Sequence, residues 1–189
     1  LFSATMPKTI ERLAADLLSD PVRVAVEPVA SVVDTIEQRL RYVEKPEKKQ
    51  ALISALQEFD GRSVLVFSRT KHGADRIARI VSKAGIGCDA IHGDKSQTAR
   101  QRALSNFKTG KTRVIVATDI AARGIDIDQL ELVINYDLPD VAETYVHRIG
   151  RTGRAGHSGL ALTFCASEER PMLADIQKLT GKKLHVVAG

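Results

Sequence analysis

Apolar residues along this chain follow two alternating periods. Short runs, VLVF at 64–67, RVIVAT at 113–118, LELVINY at 130–136 and LALTF at 160–164, are apolar at successive positions and rich in β-branched residues. Such runs predict strands covered on both faces, the central strands of a sheet. Between them the period lengthens. Leu52, Ile53, Leu56 and Phe59 fall on one helical stripe, and Ala74, Ile77, Ile80 and Val81 repeat it in the next helix. Both stripes are expected to pack on the sheet. The resulting βαβα rhythm predicts an α/β fold with a mostly parallel central sheet between two helical layers.

Local signals set the ends of the elements. Asp140 with Glu143 after Pro139 predicts a helix start, as does Ser167 followed by Glu168 and Glu169, because carboxylates favour the positive end of the helix dipole. Gly61, Gly85, Gly110 and Gly181 are expected to close helices. The segment before about residue 32 has its own character: a helix over 8–19, a break at Ser19-Asp20-Pro21, a strand VRVAV, and the loose stretch EPVASVVD, which reads as a linker. No internal repeat is visible, which excludes a solenoid.

A chain of 189 residues accommodates one full α/β domain plus a short extra segment. The net charge of +5 suits a polyanionic partner. Only 4% of residues are aromatic and Trp is absent, so a nucleic acid would be held by its backbone rather than by stacked bases. Cys88 and Cys165 stand far apart in apolar stretches and read as buried free thiols of a reducing compartment. No apolar run approaches the roughly 18 residues of a membrane span, and the start LFSATMPKT lacks the form of a signal peptide. The cytoplasm is the expected location. The first residue is Leu, so the native chain is expected to begin earlier.

Residues 147–156, HRIGRTGRAG, carry Arg148, Arg151 and Arg154 at three-residue intervals with Gly150, Gly153 and Gly156 between them. Such a stretch is expected outside the core. No acidic residue occurs between Thr144 and Ser167, so these guanidiniums need a distant partner or an external anion. Polyphosphate fits, because a guanidinium fork matches phosphate oxygens and glycine permits close backbone approach. A solvated basic loop at a helix end is the competing reading.

VATDIAARGID at 116–126 follows a strand and places Thr118, Asp119, Arg123, Gly124 and Asp126 at the carboxyl end of the sheet, where open α/β sheets bind ligands. The alternatives are that Asp119 caps a short helix and Asp126 pairs with Arg123. FSRTK at 67–71 also follows a strand, and HGDKSQTAR at 92–100 precedes a helix. Together they put Arg69, Thr70, Gly93, Gln97 and Arg100 on the same edge, a row suited to a sugar-phosphate backbone. Gly110-Lys111-Thr112 imitates the end of a phosphate-binding loop, yet residue 105 is Ser where that loop needs Gly, and the triplet leads into a strand. The five histidines show no metal-ligand spacing, so no metal site is expected.

With these residues in order, the chain resembles DEAD-box RNA helicases over its whole length. SAT at Ser3-Ala4-Thr5 resembles motif III, VLVFSRTK motif IV, QTAR at 97–100 motif IVa, VATDIAARGIDI motif V and HRIGRTGR motif VI; the overall likeness is to the bacterial RhlE-type branch. The resemblance implies a RecA-like three-layer α/β/α fold. It implies residues 1–29 as the remnant of a first RecA-like domain with the start of the linker, and 30–189 as the second. Arg151 and Arg154 would be arginine fingers on the γ-phosphate, Gly124 and Asp126 would lie near the ribose, and His147 would couple the nucleotide to the other domain. Arg69, Thr70, Gly93, Gln97, Arg100, Thr118 and Asp119 would meet RNA. The cofactor would be ATP with Mg²⁺, the metal held by the first domain. The Q motif, the Walker A loop and the DEAD box are absent from this sequence, so the chain alone is expected to be inactive. A non-catalytic RNA-binding or assembly module, and a DNA helicase or translocase of the same superfamily, are the alternatives.

Overall fold

The computed structural model describes residues 8–22, 24, 35–123, 130–153 and 159–188. Strands β1 (Ile36–Tyr42), β2 (Val64–Phe67), β3 (Cys88–Ile91), β4 (Val114–Ala117), β5 (Leu132–Asn135), β6 (Gly159–Cys165) and β7 (His185–Val186) form one sheet in the order β3-β4-β2-β5-β6-β1-β7. All six pairings are parallel. The helices are α1 (Lys8–Leu17), α2 (Lys48–Glu58), α3 (Lys71–Lys83), α4 (Gln97–Lys108), α5 (Asp119–Ala122), α6 (Ala142–Ile149) and α7 (Arg170–Thr180). Among the described residues no helix is long and apolar enough to cross a membrane.

The four runs apolar on both faces are β2, β4, β5 and β6, and all are buried throughout. Successive residues along them face opposite layers. Val64, Val66, Val114, Val116, Leu132 and Ile134 pack with α2 and α3. Leu65, Phe67, Ile115 and Ala117 pack with α4 and α5, while Ala161 and Cys165 join α6 and α7. The expected three-layer α/β/α fold is therefore present, with a wholly parallel sheet.

The differences are local and have physical reasons. On α2 the buried face is Leu52, Ala55 and Leu56, and on α3 it is Ala74, Ile77, Ala78 and Val81, while Ile53 and Ile80 sit at the margins. Ala55, Ala74 and Ala78 take core-facing places on these stripes. Phe59 lies beyond the last turn as the C-cap but is still buried. Arg113 reaches this end from just before β4, donating to the carbonyls of Leu56 at 2.6 Å and Phe59 at 3.4 Å, where a cation suits the negative helix end. The helix predicted at Asp140 begins at Ala142 without a side-chain cap, and Ser167–Glu169 form a 3-10 turn before α7. Gly61, Gly85, Gly110 and Gly181 all take positive φ after helices, as expected. Cys165 is buried, whereas Cys88 on edge strand β3 is only partly so; burial pushes the two thiols up to about 11 and about 12. Of the expected strand VRVAV only Val22 and Val24 are described, both exposed and outside regular structure; its other residues and the boundary at residues 29 and 30 fall outside the described residues.

Candidate functional site

Parallel connections return every strand's carboxyl end to one edge of the sheet, and backbone hydrogen bonds clamp the loops there side by side. Ser68 N donates to Ala117 O (3.0 Å), Thr118 N to Ile91 O (3.4 Å) and Tyr136 N to Phe67 O (3.1 Å). The segments bearing Arg69 and Thr70, Gly93, and Thr118 and Asp119 thus form a continuous row. Lys71 Nζ adds a 2.6 Å ion pair to Asp94 across two of the loops.

Each loop feeds a helix through a hydroxyl-bearing residue. Thr70 caps α3, its Oγ1 accepting from Gly73 N at 3.0 Å, so its own O–H remains available as a donor. Residue 73 has to be glycine for this turn, since a Cβ there would lie 2.5 Å from Ser68 Oγ and 2.8 Å from Thr70 Oγ1. Ser96 caps α4, leaving Gln97 exposed and Arg100 half-buried on its first turn. Gly93 is exposed beside the Lys71 side chain. Thr118 is the N-cap position of α5, yet its side chain makes no cap bond. The sequence alternative that Asp119 caps this helix is not what is seen: Asp119 is the first helical residue, and its carboxylate is engaged elsewhere.

That engagement centres on Arg148. Its Nε and Nη2 donate to the two Asp119 oxygens at 2.6 and 2.8 Å, and its Nη1 donates to Asp137 O at 2.6 Å. The guanidinium also lies 4.9 Å from the centroid of the Phe67 ring. Arg148 is 1% exposed, and Ile149 and Thr152 are buried as well. The expectation that residues 147–156 lie outside the core is therefore corrected: a bidentate carboxylate satisfies the fork and an aromatic face covers it, so one arginine of the three is an interior fixture. Tyr145 fixes the same helix to β1, its buried O–H donating to Gln38 Oε1 at 3.0 Å, and burial raises this phenol well above its ordinary pKa.

With Arg148 turned inward, α6 presents a different face to the edge. His147 and Arg151 are half-buried and line a shallow cleft with Thr144, Asp119, Ala122 and Arg123. Beyond it Gly153 takes φ 69°, and a Cβ on Gly159 would lie 2.5 Å from Gly153 N, so this turn depends on two glycine backbones in contact. Ser3–Thr5, Gly124, Asp126 and Arg154 lie outside the described residues. Among those described, no group of three or more His, Cys, Asp or Glu is placed to hold a metal.

Arg69 shows what the sequence left unread. Its Nη2 donates to Glu169 Oε1 and to Leu138 O, both at 3.0 Å, and its Nε approaches Asp140 at 3.3 Å. Glu169 in turn meets Lys48 Nζ at 2.7 Å, both residues nearly excluded from water. Lys48 and Asp137 belong to none of the site stretches read from the sequence, and Glu169 was read there only as part of a helix start. The available signal was Lys48 itself, a cation in the first turn of a helix, where the dipole disfavours it.

The family description "Helicase conserved C-terminal domain" matches residues 47–156. A solved structure of the C-terminal domain of the DEAD-box protein Dbp5 superposes with a TM-score of 0.75 at 32% identity, covering 82% of this chain and 92% of that one. The chain belongs to the DEAD-box helicase C-terminal domains. The ATP-dependent rRNA helicase RRP3 of Kluyveromyces lactis is 43% identical over 184 residues, 97% of this chain but 38% of that protein. S. cerevisiae Dbp5 bound to RNA and ADP BeF3 gives a TM-score of 0.88 at 30% identity, with 99% of this chain and 50% of that one covered. This helicase domain thus spans about two fifths of that RRP3 and half of that Dbp5 chain.

Proposed function

We propose that this domain works in an ATP-dependent RNA helicase, where a first RecA-like domain holds ATP with Mg²⁺ and this one closes on it with RNA seated on the same edge. The observation that carries the reading is the Arg148–Asp119 clamp, which turns one arginine inward and leaves His147 and Arg151 on the cleft beside the loops of Thr70, Gly93 and Thr118. Closure brings Arg151, together with Arg154, toward the γ-phosphate oxygens, where a guanidinium stabilises charge that grows during phosphoryl transfer. Gly124 and Asp126 are proposed at the ribose. ATP supplies the phosphoryl group whose loss favours reopening.

RNA is held by its backbone. Thr70 O–H, Thr118, Gln97, Arg100 and the open edge of Arg69 face phosphates and 2′-hydroxyls, with Gly93 giving close approach. Asp119 contributes indirectly, since its carboxylate is committed to Arg148. If closure tightens both ligands, each must tighten the other by the same factor. The chain alone is proposed to lack ATP hydrolysis, and affiliation with the RhlE-type branch rests on overall sequence likeness.

The test is Arg151→Ala in the full-length protein. RNA-stimulated hydrolysis is expected to vanish while ATP affinity changes much less, because a finger acts mainly in the transition state. Equal losses in affinity and turnover would refute the finger role, and indifference to replacing RNA by DNA would favour a DNA translocase.

A further inference from the structure

Behind the RNA edge, Glu169 is a node that joins four chain segments. Its Oε1 accepts from Arg69 Nη2 (3.0 Å) in the β2–α3 loop and from Leu138 N (3.1 Å) in the β5–α6 loop. Its Oε2 accepts from Lys48 Nζ (2.7 Å) at the start of α2 and from Ala166 N (3.0 Å) after β6. Lys48 also donates to Tyr136 O at 2.7 Å. Asp137 completes the cage, taking Arg69 N at 3.1 Å and Ser68 Oγ at 3.4 Å. Glu169 is 5% exposed and Lys48 2%, whereas the Arg69 side chain is 40% exposed. Two charges are thus buried and satisfied so that a third is held at the surface with one face toward solvent.

Stability alone gives no reason for this choice. Replacing a buried ion pair by well-packed apolar residues is often neutral or stabilising, since the pair has to offset its own desolvation. What an apolar pair lacks is direction. Two lone-pair-bearing oxygens with four donors fix the Ser68–Thr70 loop against Leu138 to within hydrogen-bond tolerance, and the guanidinium is gripped at Nε and Nη2. Gripped on that side, Arg69 loses less rotamer freedom when a phosphate arrives.

We propose that Glu169, held by Lys48, is a positioning residue that presets the Arg69–Thr70 loop for the RNA backbone. This rests on the reading of that loop as an RNA contact. It touches no ligand and acts through the loop.

The experiment is a double-mutant cycle in the full-length protein, with RNA affinity measured across a salt series and thermal unfolding followed in parallel. Arg69→Ala with Thr70→Ala defines the loop, and Glu169→Gln, which keeps the side chain's shape, defines the node. Glu169→Gln is expected to weaken RNA binding roughly tenfold, within the coupling range of residues sharing one network, to raise the RNA concentration for half-maximal ATPase stimulation, and to leave the rate at saturating RNA unchanged. In the loop-variant background it is expected to add nothing. Losses that simply add, or a Glu169→Gln protein that binds RNA like the parent while the loop variant does not, overturn the positioning role. A loop variant that binds RNA normally overturns the RNA reading of the loop first, and the proposal with it. Lys48→Met is judged by the same criteria and keeps the question open to refutation should Glu169→Gln not fold.

Discussion

Two ion pairs with a buried cation stand on the carboxyl edge of this sheet, and they were built from different parts of the sequence. Arg148 and Asp119 come from the two stretches that attract attention for their composition, and their bond joins α6 to the start of α5. Lys48 and Glu169 come from an ordinary helix and a helix-capping turn; their bond joins the start of α2 to the turn before α7, and the same carboxylate takes Arg69 of the β2–α3 loop. Both do the same physical work. Each fixes a loop by satisfying a carboxylate with directional donors, so that a neighbouring cation, Arg151 in one case and Arg69 in the other, keeps a face toward the edge. Residue type does not distinguish the fixture from the contact; burial does.

The sharpest way to break this parallel is to remove neighbouring arginines one at a time. In the full-length protein, Arg151→Ala is expected to lower RNA-stimulated ATP hydrolysis about a thousandfold, at the lower bound for an arginine finger, with its urea unfolding midpoint shifted less than that of Arg148→Ala. Arg148→Ala is expected to cost about 3 kcal/mol in the same unfolding experiment, the low end for half of a buried pair because Asp119 keeps some water contact. Exchange of these two phenotypes would mean that fixture and contact have been assigned the wrong way round.

At the second pair, Glu169→Ala is expected to cost about 3–5 kcal/mol, since Lys48 is left buried without its carboxylate. Lys48→Met combined with Glu169→Leu is expected to recover only part of that loss in thermal unfolding, because Leu138 N and Ala166 N still lose their acceptor, while RNA affinity stays impaired; full recovery of RNA binding would show that packing suffices.

A smaller effect is expected from Gly73→Ala, about 1–2 kcal/mol by equilibrium unfolding, because the new Cβ collides with the Ser68 and Thr70 hydroxyls. A change within measurement error would mean that the Thr70 cap yields easily. The smallest concerns Asp75. Burial works to raise its pKa, but the contacts with Lys95 at 2.8 Å and His92 at 3.1 Å outweigh that and lower it. A depressed carboxylate contributes stability above its unfolded pKa and loses it as pH falls through the folded one. Asp75→Asn is therefore expected to lose under about 1 kcal/mol at neutral pH, given the partial exposure of the pair. The gap to the parent should close as pH is lowered below about 4. A gap that persists in acid would exclude the ion pair as its source.

The pattern that made the core visible also limited what could be read. Strands β2, β4, β5 and β6 are apolar on both faces because helices cover both, and they stand out at once. Strand β1, IEQRLRY, sits beside the two-residue β7, carries Glu37 and Arg39 outward and buries mainly Ile36, Leu40 and Arg41, so its sequence lacks the signature. Edge strand β3, CDAI, is as long as β2 but too mixed in polarity to be noticed. At the site, the arginine-glycine stretch and the strand-end loops were legible because their residue types are costly inside a protein unless paired. Which guanidinium goes inward was not, since Arg148 and Arg151 differ only in where one helical turn points them, and the partners of Arg148 and Arg69 lie far along the chain.

The position of β1 also bears on how the chain reaches this structure. Ile36 pairs with Gly159, and Arg39 with His185, so β1, the first of these seven strands in chain order, finds both of its neighbours only after the intervening chain that carries β2 to β5 has been synthesised. Contacts between residues so distant in the chain form late, and an unpaired strand is an aggregation hazard while it waits. The charged residues of β1 that hid it from a hydrophobicity pattern, Glu37, Arg39 and Arg41, are well suited to keep it soluble through that interval.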